Sequence, residues 1–211
     1  MSALRACCLG TITLLAHMGC DREVRAPGPK PVGSRTLELA GPSDAPLVTE
    51  LWYPAAAGAR ELNFVSQGGF LARSARDAPF DVARPAPWVV LSHARNSTRF
   101  DLLWLAEALA SRGYVVAAVD HLAVRPQQDP LQQRVDELQA VAAALPQLPE
   151  VGRNLDPQAL HLAGFSLGGA AVLRWVGQRG GVRRVVALAP GSGERFSPAN
   201  LQRVGAPVLI V

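Results

Sequence analysis

Residues 160–176 read LHLAGFSLGGAAVLRWV, the most specific structural signal in the chain. The apolar run from Leu160 to Phe165 has the length and composition of a buried strand. It meets Ser166 in a Gly-x-Ser-x-Gly turn and passes without a linker into a helical pattern. A strand, a sharp turn carrying an exposed serine, then a helix is the layout of a nucleophile elbow. The five-residue pattern alone is common, and the strand before it and helix after it make it specific. Gly164 and Gly168 have a mechanical reason to be glycine, because so tight a turn leaves no room for a Cβ beside the strained serine.

Working outward from the elbow, strand and helix patterns alternate. RTLELA (35–40) and LVTELWYP (47–54) read as two early strands separated by the turn Gly-Pro-Ser-Asp. Residues 55–85, rich in Ala, Gly and Pro, read as a long excursion with one short helix. WVVLSH (88–93) is a continuous apolar strand, and residues 100–112 carry apolar side chains at helical spacing, closed by Gly113 as a cap. YVVAAVD (114–120) is a second buried strand. A helix over 130–144 follows, with Leu131, Val135, Leu138 and Val141 or Ala142 on one side. Beyond the elbow helix come VRRVVALAP (182–190), a polar loop and PVLIV (207–211). This alternation predicts an α/β fold, a mainly parallel sheet of about seven strands with helices on both faces. Reactive groups in such sheets lie beyond the carboxyl ends of the strands, where Ser166, His93 and His121 all fall.

The chain has 211 residues, 49% of them apolar, enough for one domain with a sizeable core and no evident internal repeats. Its formal charge of +4 comes from arginines scattered singly, with no basic run interleaved with aromatics, so no nucleic-acid partner is expected. The cysteines, Cys7, Cys8 and Cys20, lie within the first twenty residues, which leaves the body without thiols or disulfides. The histidines show no metal-ligand spacing, and no metal or organic cofactor is expected.

The amino terminus accounts for the cysteines. Arg5 precedes an apolar stretch, Ala6–Ala16, too short to span a bilayer but suited to a signal-peptide core. It ends at His17-Met-Gly-Cys20 and gives way to a polar, Pro- and Gly-rich segment, DREVRAPGPKPVG. This resembles a bacterial lipoprotein signal, cut before a cysteine that then carries lipid. Gly19 and Cys20 fit the pattern, and His17, in place of leucine, does not. The expected layout is a signal over residues 1–20, a flexible tether over 21–33 and a hydrolase-like core over 34–211. The body would then be exported and held outside the cytoplasmic membrane through Cys20. An ordinary export signal giving a soluble periplasmic or secreted protein, an uncleaved amino terminus and a wrongly chosen start codon are the alternatives.

ELWYPA (50–55), VVLSHARNS (89–97), LAEALASRGYVVAAVDH (105–121) and GFSLGG (164–169) together resemble the α/β-hydrolase superfamily. The resemblance is to its dienelactone-hydrolase-like and platelet-activating-factor-acetylhydrolase-like branch, over roughly residues 35–211. It implies that Ser166 is a nucleophile attacking carboxylic esters, with the oxyanion held by the backbone N–H groups of Leu167 and Arg95. The family has glycine where Ala94 stands, a position alanine can occupy only at negative φ or with strain. It also puts the catalytic acid after the strand that PVLIV resembles and the histidine after one further strand, beyond Val211. A serine without a base is a poor nucleophile. These 211 residues are therefore expected to be a fragment with little hydrolase activity, the alternative being a non-catalytic lipoprotein that uses the fold as a binding or structural module.

Other residues weigh as follows. His121 reads as structural rather than as the base, His93 as a shaper of the oxyanion loop, and His161 as a packed or partly exposed residue near the start of the elbow strand. Glu194, in APGSGERF, is the best substitute acid, although an acid without a histidine completes no triad. Asp120 reads as a strand-end residue bonding local amides. Trp52, Trp88, Trp104 and Trp175 read as core, and Asp21 as a tether residue.

Overall fold

The computed structural model describes residues 28–66, 69–191 and 202–211. Among them the strands are β1 (Val32–Leu39), β2 (Leu47–Pro54), β3 (Leu62–Val65), β4 (Leu71–Arg76), β5 (Ala86–Ser92), β6 (Val115–Val119), β7 (Leu155–Phe165), β8 (Arg184–Leu188) and β9 (Val208–Ile210). The helices are α1 (Leu103–Ala110), α2 (Pro130–Ala144), α3 (Pro149–Gly152) and α4 (Leu167–Gln178). One sheet runs in the order β3-β4-β1-β2-β6-β5-β7-β8-β9. From β6 to β9 every pairing is parallel, while β2 lies antiparallel to both β1 and β6.

Alternation along each strand splits the core into two layers, since successive side chains leave opposite faces. Trp88 and Val90 of β5 point into the layer packed by α2 and α4, whereas Val89 and Leu91 join Leu103, Ala106 and Ala110 of α1 on the other face. The helix ends follow local rules. Asp129 caps α2 by accepting from Leu131 N (2.9 Å), and Pro130 occupies the first turn, where its missing N–H costs nothing. After α1, Gly113 takes φ +99° and donates to Ala110 O while Tyr114 N reaches back to Leu109 O, a Schellman closure.

Three expectations need correction. The described residues of 55–85 hold no helix; they include the β3–β4 hairpin, and β4 runs parallel to β1 through Gly33↔Ala75, so the described sheet has nine strands rather than about seven. Each strand of this hairpin is too short and too mixed to read from periodicity, and pairing with the distant β1 decides it. Trp104 is not core: it is 56% exposed, because α1 buries Leu103, Ala106, Glu107 and Ala110 and turns Trp104 off that stripe. Finally, packing begins ahead of residue 34, with β1 starting at Val32 and Gly28 N bonded to Ser111 Oγ (2.8 Å).

Candidate active site

Parallel β5, β6 and β7 end at the same sheet edge and deliver His93, His121 and Ser166 there. Ser166 sits between β7 and α4 at φ 52°, ψ −116°, a conformation that L-residues avoid. It is held by Ser166 N donating to Leu188 O (2.9 Å) and by its carbonyl accepting from Ala170 N (3.1 Å). The flanking glycines are compulsory. A Cβ on Gly164 would strike the Gly168 backbone, and one on Gly168 would strike the carbonyl oxygens of Ser92 and His93 at the end of β5. The elbow therefore rests directly on the strand that carries the opposite wall of the site.

That wall is the loop 93–101. Asp101 Oδ2 accepts from Ala94 N (2.9 Å), and Asp120 Oδ1 at the end of β6 accepts from Arg99 N (2.6 Å) while its other oxygen pairs with the Arg99 guanidinium. Asp120 thus bonds a backbone amide as expected, but one on the neighbouring loop rather than on its own. Ala94 is not among the described residues with positive φ; the turn's left-handed residue is Asn96 (φ 56°), so alanine is accommodated without strain. The backbone N–H groups of Arg95 and Leu167 make no hydrogen bond to another described residue. Arg95 and Leu167 line one cavity of about 190 Å³ together with His93, His121 and Arg134.

Both histidines are committed by their surroundings. His93 Nδ1–H donates to Ala94 O (2.7 Å), so Nε2 is the nitrogen that accepts from His121 N (3.2 Å). Burial, together with the nearby Arg134, holds His93 below the usual histidine range. His121 is bonded through Nδ1 to Glu137 Oε2 (2.6 Å) and through Nε2 to Ser92 Oγ (2.8 Å). Its complete burial, with Arg134 and His93 beside it, keeps the imidazole well below the usual value, and burial pushes Glu137 upward. Neither ring has a nitrogen left for the Ser166 proton. His161 sits mid-strand on β7, between Val89 and Arg184, against Tyr114.

The sequence reading placed Ser166, Leu167 and Arg95 at one site; in the structure Leu167, the residue after Ser166, and Arg95 line the same cavity. Glu194 and Cys20 lie outside the described residues. What sequence reasoning missed is the polar face of α2. Gln133, Arg134 and Glu137 are all buried there, Arg134 donating to the carbonyls of His93 and Ala94 and Gln133 Nε2 to Glu137 Oε1 (2.8 Å). Polar residues spaced i, i+1, i+4 look like a solvated helix face until the loop that covers them is known. Among the described residues no group of His, Cys, Asp and Glu is arranged to hold a metal.

Comparison with known proteins agrees with this arrangement. The model of a family described as "PETase: PET hydrolase-like" matches residues 77–211, more than half of the chain. Cutinase 1 of Thermobifida cellulosilytica is 28% identical over 125 residues, 58% of this chain and 45% of its own length. A cutinase of Thermobifida fusca (strain YX) is likewise 28% identical over 125 residues, 58% of this chain and 39% of its own length. The aligned part thus spans less than half of these relatives. Among solved structures, a ferulic acid esterase from Streptomyces cinnamoneus superposes with a TM-score of 0.74 at 25% identity, covering 89% of this chain and 66% of that one. Family match, sheet order and elbow geometry converge, and the chain belongs to the PET hydrolase-like family of the α/β-hydrolase superfamily.

Proposed function

We propose that this protein is a serine hydrolase of carboxylic esters working through an acyl-enzyme at Ser166. The observation that supports it best is a serine held at φ 52° between β7 and α4, beside a cavity bordered by Leu167 and Arg95. Ser166 Oγ would bond to the ester carbonyl carbon, the carbonyl oxygen becoming an oxyanion that the N–H groups of Leu167 and Arg95 receive. The C–O bond to the alcohol then breaks, the alcohol leaving with the serine's proton, and water releases the acid. Leu167 N lies at the start of a twelve-residue helix, where unpaired N–H groups and the dipole favour negative charge. Each such donor typically contributes about 3 kcal/mol to the transition state. The scheme calls on no metal or organic cofactor. The base and acid belong, by the resemblance, to segments that follow β9 in the fold, since His93 and His121 are both spent.

A fluorophosphonate probe tests the assignment. Labelling is expected at Ser166 and nowhere else, and Ser166→Ala abolishes both labelling and ester hydrolysis. A folded, full-length protein that resists the probe would instead be a binding or structural module built on a hydrolase fold. The proposal extends to location: export directed by residues 1–20, with lipid on Cys20 anchoring the body outside the cytoplasmic membrane. Radiolabelled palmitate should enter the wild type and be absent from Cys20→Ala; label retained by that variant rules the anchor out, leaving a soluble exported protein.

A further inference from the structure

Arg134 on α2 is 8% exposed, and burial draws its guanidinium down to about 10. A buried cation of this kind is costly, and an apolar side chain of similar size would be cheaper for the fold. Its hydrogen bonds show what it is doing there. One guanidinium nitrogen donates to His93 O and the other to Ala94 O (3.2 Å), the two carbonyls that open the loop 93–101. Ala94 O also accepts from His93 Nδ1 (2.7 Å), so both of its lone pairs are engaged, one of them by Arg134 from α2. The peptide that follows is trans, which directs its N–H opposite to its C=O. Pinning Ala94 O toward α2 therefore turns the Arg95 N–H away from α2.

We propose that Arg134, together with His93, is a positioning residue that aims the Arg95 N–H at the oxyanion through the Ala94–Arg95 peptide. This rests on the reading of Ser166 as nucleophile and Arg95 N–H as oxyanion donor. Everything around Arg134 serves the same end. His93 can donate from Nδ1 only because His121 N occupies Nε2, and the His121 ring is itself clamped between Ser92 and Glu137. Glu137 and Asp101 supply the nearby negative charge, while Arg95 opposes it. A charged donor on a peptide oxygen also polarises that peptide, which makes its N–H a stronger donor in turn. Lysine cannot replace this function fully, because the two carbonyls are met by a planar fork and an ammonium is a single point.

The test is the rate of phosphonylation of Ser166 by a fluorophosphonate, resolved into probe affinity and maximal rate, in wild type, Arg134→Met and Arg134→Lys full-length protein. The Met variant should keep its affinity for the probe and lose about ten- to a hundredfold in maximal rate, the scale of a misaimed donor. Arg134→Lys should recover part of that loss. Thermal unfolding of both variants separates the effect from instability, since a variant fully folded at the assay temperature cannot owe a slower rate to unfolding. Equal maximal rates in wild type and Arg134→Met overturn the positioning role and leave Ser166 as nucleophile. If Arg134→Met does not fold, Arg134→Lys decides: a severalfold slower rate supports the proposal and a wild-type rate overturns it. A wild type unlabelled at Ser166 overturns the nucleophile reading, and the positioning role falls with it.

Discussion

Gly168 shows how far a single residue can be pinned by its neighbours. Its missing Cβ lets α4 start against the carbonyls of Ser92 and His93, so the clash of any larger residue is with backbone and cannot be relieved by a rotamer. Gly168→Ala should cost about 3 kcal/mol in denaturant unfolding and displace the elbow, lowering fluorophosphonate labelling as well. The histidines make a pH prediction at the same scale. His93, His121 and His161 are all lowered by burial from an ordinary value of 6.5. The unfolded chain therefore binds their protons first, and stability is lost as pH falls below that value, by at most about 1.4 kcal/mol per pH unit per group. Glu137, raised above 4.5, works in the opposite sense, because acidification supports its neutral buried form. Three groups against one set the sign: the midpoint of unfolding should fall from neutral pH toward about pH 5, and His121→Gln should flatten that slope.

At the scale of elements, β2 ties the sheet's outer half to the site. Glu50 is fully buried on this strand, opposite Thr36 of β1, and it accepts from Thr36 Oγ1 (2.7 Å) and pairs with Arg76 of β4. Arg99, which the β6-end Asp120 grips, approaches the same carboxylate at 3.7 Å. One acid thus joins β1, β2, β4 and the loop 93–101. Removing Glu50 takes a counter-charge from the nearly buried Arg99, though Arg76 keeps access to water, and Glu50→Ala should cost about 3 kcal/mol by thermal or denaturant unfolding. The strand LVTELWYP was legible from its sequence, but the work of the glutamate inside it was not, because its partners come from three other segments.

For the whole molecule, the sheet order puts β6, β5 and β7 at the centre and the β3–β4 hairpin at an edge. Both layers of the core meet on β5, whereas Leu62, Val65 and Leu71 of the hairpin are exposed. Native-state hydrogen exchange should therefore be slowest in β5, β6 and β7, approaching global unfolding, and fastest in β3. Equal protection of β3 and β5 would contradict this division. The same arrangement explains how the site is built: a rigid parallel centre presents three strand ends at one edge, and α2 braces the loop between them.

Features that depend on neighbours along the chain were legible in the sequence. Apolar runs and helical spacing located β5, β6, β7 and the elbow helix, and the bounds of α2 at 130–144 match because Asp129-Pro130 starts that helix locally. Ser166 was legible for the same reason, since strand, turn and helix are contiguous. The β3–β4 hairpin, the exposure of Trp104 and the burial of Glu50, Gln133, Arg134 and Glu137 came instead from long-range packing. Each of these turns on a partner many residues away: Glu107 Oε1 meets Arg73 N across 34 positions, and Arg134 meets His93 O across 41. Periodicity records which side of an element is apolar; whether its polar side meets water or another part of the chain is settled by long-range packing.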